Sequence, residues 1–398
     1  MKVKERYKIL LLLLILFYVL IVPSVLIFAQ VNSDSTSNIV EVINRFEAFF
    51  HEKLVEEDVP GAAVAIVKDD QIVYINTYGI REVGQPEKVD IHTAFRLASV
   101  SKGFASVLTG ILVKDGVLNW DDKVIKYLPR FALKNSWETK SLTIKNLLSH
   151  TSGLPAHTYT NLLDENLPLG DIYQKLRDIS LIAPVGKVYS YQNVVYGLIS
   201  DIVKAATGKE YAQLVTERIF QPLSMFDASL GREAFTAFNN CAKPHIQRST
   251  DWTVTEVKQG YYNVLPAAGV NASILDMARW LRAMMGGAPE TIPPEVIQQI
   301  TSPIIKTPRE KYKHGWRDHL QDASYGLGWR IYDYAGTSIV YHGGWVQGFR
   351  AEIGFIPEQK VGIVVLLNCE SMIANLFLPA FFDLYLNLSI SDSLEANY

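Results

Sequence analysis

The chain reads as an α/β protein of the α+β kind: one antiparallel sheet built from both chain ends, flanked by helices, with a mostly helical subdomain inserted between them. Three observations predict it. A helical segment and two β-rich runs, 62–67 and 72–78, stand near the start. From about residue 99 to 221 the text is helical with loops. Four strand-like runs, 326–332, 338–341, 349–355 and 361–367, then an apolar helical end at 372–388, close the chain. Strands at both ends must share a sheet to bury their faces, and the terminal helices cover it.

Residues 1–8 carry Lys2, Lys4, Arg6 and Lys8 against Glu5, and residues 9–28 hold no charge. A basic start before an apolar run fits an export signal, and twenty uncharged residues also suffice for one membrane-spanning helix. The segment 1–29 is therefore expected to be either a cleaved signal or an uncleaved anchor, with the bulk of the chain outside the cytoplasm. Residues 30–37 are small and polar, a linker. The main domain is expected over 38–390, with a tail at 391–398.

From residue 38 to about 57, Ile39, Val42, Ile43, Phe46 and Phe50 recur at helical spacing, and Pro60-Gly61 stops the helix. The two β-rich runs are joined by Lys68-Asp69-Asp70-Gln71, a hairpin. Further helices are expected over 103–113, 194–206, 211–220 and 277–285.

The stretch Phe95 to Phe104 contains the chain's single Ser-x-x-Lys, Ser99 and Lys102. Residues three apart on a helix share a face, so the amine reaches the hydroxyl. A serine is a weak nucleophile until a base takes its proton, and a lysine serves once burial or a positive neighbour lowers its pKa. An acyl-transfer serine also needs a second acid/base group and backbone donors for the oxyanion. Tyr191-Gln192-Asn193 offers a phenol and an amide on one short loop. Tyr-x-Asn also occurs at Tyr74, Tyr159, Tyr261 and Tyr385; Tyr191 is favoured by Pro184-Val185-Gly186 upstream and a helix downstream. His342-Gly343-Gly344 ends a β-rich run, and two glycines there let backbone approach a ligand, although a simple turn is the plainer reading.

The net charge is −3; the first 29 residues carry +3, so the remainder carries −6. No basic run survives outside the N-terminus, which excludes nucleic acid as an expected partner. Eight scattered histidines and two cysteines, Cys241 and Cys369, form no metal-ligand spacing. Neither a metal nor a cofactor is expected. The cysteines are expected as two buried thiols, with one bridge as the alternative.

Over roughly residues 40–388 the motifs, in their order, resemble the serine β-lactamase and penicillin-binding-protein family in its class C-like branch. They are Phe95 to Lys102, Thr143 to Pro155, Tyr189 to Asn193, Pro266 to Val270, and His342-Gly343-Gly344. The resemblance implies a β-lactamase/transpeptidase-like fold. It implies Ser99 as acylated nucleophile, Lys102 as proton shuttle and Tyr191 as general base and later acid. It implies Asn193 against the substrate amide, and the strand at His342, Gly344 and Trp345 beside the carbonyl, with the N–H groups of Ser99 and Trp345 as the oxyanion hole. Thr151 to Pro155 is expected to be structural and His150 a satisfied buried histidine. His342 stands where β-lactamases carry a lysine, so a permanent charge is replaced by one present only in part at neutral pH. Arg350 is expected to be solvated, with a positive charge restored to the site as the alternative. The function implied is a serine hydrolase acting on an ester or amide of a small-molecule or peptide substrate: an esterase, D-amino-acid peptidase or carboxypeptidase. A true β-lactamase and a catalytically silent membrane-tethered binding protein are the alternatives.

Overall fold

The structure, a computed structural model, describes residues 38–389. The export segment 1–29, the linker 30–37 and the tail 391–398 lie outside the described residues.

Helix α1 (residues 38–56) buries the five apolar positions that its spacing selects, Ile39, Val42, Ile43, Phe46 and Phe50. Strands β1 (Gly61–Lys68) and β2 (Gln71–Gly79) form the expected hairpin, with Lys68 opposite Gln71. Asp69 and Asp70 both take positive φ, 48° and 68°, the backbone of a two-residue turn whose twist matches its strands. The sheet continues with β3 (Ile305–Lys306), β4 (Leu320–Tyr325), β5 (Arg330–Tyr334), β6 (Thr337–Val346), β7 (Phe349–Ile356) and β8 (Val361–Leu367). Its order is β2-β1-β8-β7-β6-β5-β4-β3, antiparallel throughout. The pairing of β1 with β8, from Ala62↔Leu367 to Lys68↔Val361, joins the two chain ends.

Both faces of the central strands are covered, so they read as unbroken apolar runs. Along β1, Ala63, Ala65 and Val67 enter the core under the helical subdomain, while Ala62, Val64 and Ile66 enter the core under the terminal helices. In the second core α1 meets α5 (Ala374–Tyr385), with Phe50 and Phe377 rings 4.3 Å apart and Phe46 edge-on to Phe381 at 5.6 Å. The inserted part carries α2 (Ser101–Lys114), α3 (Leu198–Thr207) and α4 (Ile274–Arg282) among shorter helices. From Ser101 to Leu112 every residue of α2 is buried, which is why it lacks a polar stripe.

Three elements differ from expectation. The run 326–332 is not one strand, because Gly328 turns at φ +78° and β5 starts only at Arg330. Leu320–Tyr325, which has no β-branched residue, and the two-residue Ile305–Lys306 add two strands. The strand at 338–341 runs on to Val346, so His342-Gly343-Gly344 is sheet, paired with Ile353, Glu352 and Ala351, and not a turn.

Candidate active site

Ser99 lies in a single 3-10 turn, Ala98–Val100, directly ahead of α2. In such a turn side chains three apart eclipse one another, and Lys102 Nζ stands 3.1 Å from Ser99 Oγ. Ala98, just before the serine, holds a left-handed φ of 48°, a strain of order 1–3 kcal/mol that packing must sustain. From Thr93 to Val100 only Ser99 keeps access to solvent.

Lys102 is wholly buried. Besides Ser99, its amine reaches Asn193 Oδ1 at 2.9 Å and the Ala267 carbonyl at 3.0 Å, and it lies over the rings of Tyr191 and Tyr196 at 4.7 and 5.3 Å. Among the described residues no carboxylate pairs with it. Burial, reinforced by the charge of Arg330, holds its pKa well below the usual lysine value. A neutral amine has two N–H bonds and one lone pair. The amine donates to Asn193, Ala267 and Ser99; once it has lost a proton, the Asn193 and Ala267 oxygens can hold the two remaining hydrogens and the lone pair faces Ser99.

Tyr191 donates its phenol to Ser99 Oγ at 2.8 Å. Its loop is stapled to the segment 150–157: the Gly186 N–H reaches the Thr151 carbonyl, Ser190 reaches His150, and His157 reaches the Tyr191 carbonyl. Ser190 Oγ donates to the Leu154 carbonyl at 2.6 Å. The Thr151 to Pro155 stretch is thus a brace for the phenol. Burial pushes the Tyr191 pKa up to about 12, against the opposing pull of Arg330, so the phenol keeps its proton at neutral pH. His150 packs on Tyr191 with ring centroids 4.3 Å apart. It is only half satisfied: Nδ1 accepts the Gln192 N–H at 3.1 Å, while buried Nε2 has no partner among the described residues.

Strand β6 runs against the serine turn. A Cβ on Gly344 would sit 2.3 Å from the Leu97 carbonyl and 3.1 Å from the Ser99 nitrogen, so only glycine lets the strand close on the turn. Trp345, next along, is 56% exposed at the cleft. His342 is fully buried; its Nε2 meets Tyr325 OH at 3.0 Å and Arg330 Nη1 at 3.4 Å, and its Nδ1 meets the Gly343 carbonyl at 2.9 Å. Burial first, then Arg330 and Lys102, hold its pKa well below 6.5. This corrects the expectation of a partial charge: His342 is neutral at neutral pH. Arg350 corrects a second one. It is 5% exposed and paired to Glu352 at 3.0 Å and to Asn375 Oδ1 at 2.6 Å.

Ser99, Tyr191 and Asn193 share a cleft of about 800 Å³ with Arg330, Glu310 and Trp345. Arg330 and Glu310 escaped the sequence reading. Arg330 lies inside an apolar run, 326–332, whose composition predicts a strand and nothing more, and Glu310 sits in a charged surface-like segment, Arg309 to Lys313. Tyr261, one of the competing Tyr-x-Asn positions, also lines the cleft, whereas Tyr74 and Tyr385 pack at the far core. Among the described residues no group of three His, Cys, Asp or Glu is set to hold a metal, and no helix is long and apolar enough to cross a membrane. Cys241 and Cys369 are buried free thiols.

The sequence profile of the Beta-lactamase family matches residues 46–378. Unguisins hydrolase ungD of Aspergillus violaceofuscus is 27% identical over 344 residues, which cover 81% of this chain and 60% of that protein. Protein flp of Staphylococcus aureus is 25% identical over 323 residues, covering 79% and 60%. The chain thus spans about three fifths of the length of these relatives. The octameric penicillin-binding protein homologue from Pyrococcus abyssi has a TM-score of 0.77 at 26% identity, with 87% of this chain and 78% of that one covered. Matched over most of its described length in both sequence and fold, the chain belongs to the Beta-lactamase family, a family of serine hydrolases.

Proposed function

We propose that the chain hydrolyses an ester or amide through an acyl-enzyme on Ser99, as an esterase or a peptidase of D-amino-acid or cell-wall type. One observation carries the reading: Ser99 Oγ is 3.1 Å from the buried Lys102 amine, whose pKa burial lowers and which has two other acceptors in Asn193 and Ala267, and 2.8 Å from the Tyr191 phenol. Ser99 attacks the carbonyl carbon and its proton passes to the Lys102 lone pair. The oxyanion takes the N–H groups of Ser99 and Trp345, donors worth about 10²–10³ in rate each. As the C–O or C–N bond breaks, the Tyr191 phenol protonates the leaving group, and the Lys102 ammonium restores the phenol. Water then attacks the ester, giving its proton to Lys102, and Ser99 Oγ leaves with that proton.

A β-lactamase stands second. The lysine that the resemblance calls for at position 342 is absent, and the histidine there is held neutral. The segment 1–29 supports action outside the cytoplasm, after cleavage or on an anchor; recovery of the full-length chain in the cytoplasmic fraction would overturn that.

The test offers parent and Ser99→Ala a p-nitrophenyl ester, a D-alanyl-D-alanine peptide and a chromogenic cephalosporin. Turnover of ester or peptide by the parent alone is expected. Equal turnover by the variant would sink the mechanism, and fastest turnover of the cephalosporin would favour the second reading.

A further inference from the structure

Trp345 is an exposed aromatic ring that the fold holds still. On β6 it lies directly opposite Arg350 of β7, whose guanidinium sits 5.4 Å from the ring centroid. Arg350 is itself fixed, by Glu352 at 3.0 Å and Asn375 at 2.6 Å. At the ring edge, indole Nε1 donates to Glu370 Oε2 at 3.0 Å, and Glu370 Oε1 accepts the Gly348 N–H at 2.7 Å. The ring is thus clamped from below and along one edge, yet 56% of the residue faces solvent, on the wall of the Ser99 cleft. A large aromatic ring held in one position has little side-chain freedom left to lose when a ligand covers it.

Resting on the hydrolase reading above, we propose that Trp345 is a specificity platform and that the substrate carries an aromatic or bulky apolar group on its acyl part. The acyl side follows from the chemistry. The leaving group must lie at Tyr191, which protonates it, while the carbonyl oxygen lies at the N–H of residue 345. The side chain of that residue therefore borders what stays attached to Ser99. The apolar class follows from the ring: its one polar atom, Nε1, is already taken by Glu370 and its underside by Arg350, so the free face offers apolar surface alone. The cleft's charges are mixed, Arg330 and Lys258 against Asp164, Glu310 and Glu370, and select neither sign. Stacking an aromatic group on the free face removes apolar area from water without breaking a hydrogen bond.

Two measurements decide it. In the first, kcat/KM is read on p-nitrophenyl phenylacetate and p-nitrophenyl acetate. The parent is expected to favour the phenylacetate by at least about 10-fold, the scale of a filled apolar subsite. Trp345→Ala should erase that ratio and Trp345→Phe should keep most of it; equal losses on both esters, or no preference in the parent, would overturn the proposal. In the second, phenylacetamide and acetamide are titrated calorimetrically into Ser99→Ala, where turnover plays no part. Tighter binding of phenylacetamide that vanishes in Ser99→Ala/Trp345→Ala is expected, and equal binding of the two amides would overturn the platform. A parent that binds with this preference but gives no fluorophosphonate adduct at Ser99 would sustain the platform and overturn the hydrolase reading.

Discussion

Arg330 Nε and Glu310 Oε1 meet at 3.3 Å on the wall of the cleft behind Tyr191. The guanidinium carbon lies 5.7 and 5.8 Å from the rings of Tyr191 and Tyr325, and the carboxylate also accepts the Tyr332 hydroxyl at 2.6 Å. Burial would raise the Glu310 pKa, but Arg330 and Lys313 outweigh it and bring it to about 2. Arg330 in turn disfavours charge on Lys102 and His342. The permanent positive charge beside the histidine is therefore Arg330, held on a strand, with Lys258 elsewhere on the cleft wall.

Replacing Arg330 by Gln removes a cation near Lys102, so the lysine should bind its proton more tightly. The acid limb of kcat/KM against pH reports the free amine, and it should move to higher pH. Glu310→Gln leaves Arg330 uncompensated and should move it to lower pH. Unmoved limbs in both variants would mean that Arg330 does not tune the base.

Tyr191→Phe separates proton donation from attack. A p-nitrophenolate departs without a proton, whereas an amine does not. The variant should lose about 10²–10⁴-fold on an amide, the usual worth of a general acid, and markedly less on a p-nitrophenyl ester. Equal losses on both would assign the phenol another role.

Lys313 gives a stability prediction away from the chemistry. Its amine donates to Tyr341 OH at 2.6 Å, and Tyr341 donates to Glu352 at 2.6 Å. Burial, with Arg330 next, lowers its pKa from 10.5 to about 8. Between these values the unfolded chain binds more protons than the folded one, so this residue makes stability rise with pH from about 8 to 10.5. Denaturant melts of parent and Lys313→Gln should diverge in that window, with the parent gaining. Parallel curves would contradict the shift.

Gly344→Ala should be costly, because its Cβ would meet the Leu97 carbonyl at 2.3 Å. Overpacking of this kind costs about 1–3 kcal/mol. Since the strand must draw back from Ser99, activity should fall more than stability. A fully active variant would show that the close approach is not needed.

What the sequence made legible follows physical rules that act locally. The face of α1, the Asp69-Asp70 hairpin and the Ser99–Lys102 pair depend on spacing within a few residues, and each stands where spacing put it. The joining of chain ends was legible because two strands at the start are too few to make a sheet that buries its faces, while four strand-like runs stand at the other end. Less legible was anything set by burial across long distances. His342 read as a titrating group and Arg350 as a solvated one, because neither residue's neighbours in sequence reveal the charges packed on it. Arg330 went unnoticed for the same reason, since its partners Glu310, Tyr191 and His342 come from three other segments.

The central claim is covalent chemistry at Ser99, and a rapid acid quench of the protein turning over p-nitrophenyl acetate tests it most directly. Intact mass and peptide mapping should find one acetyl group, carried by the peptide containing Ser99 and missing in Ser99→Ala. Turnover with no acyl group on that peptide, or with the acyl group elsewhere, would contradict it.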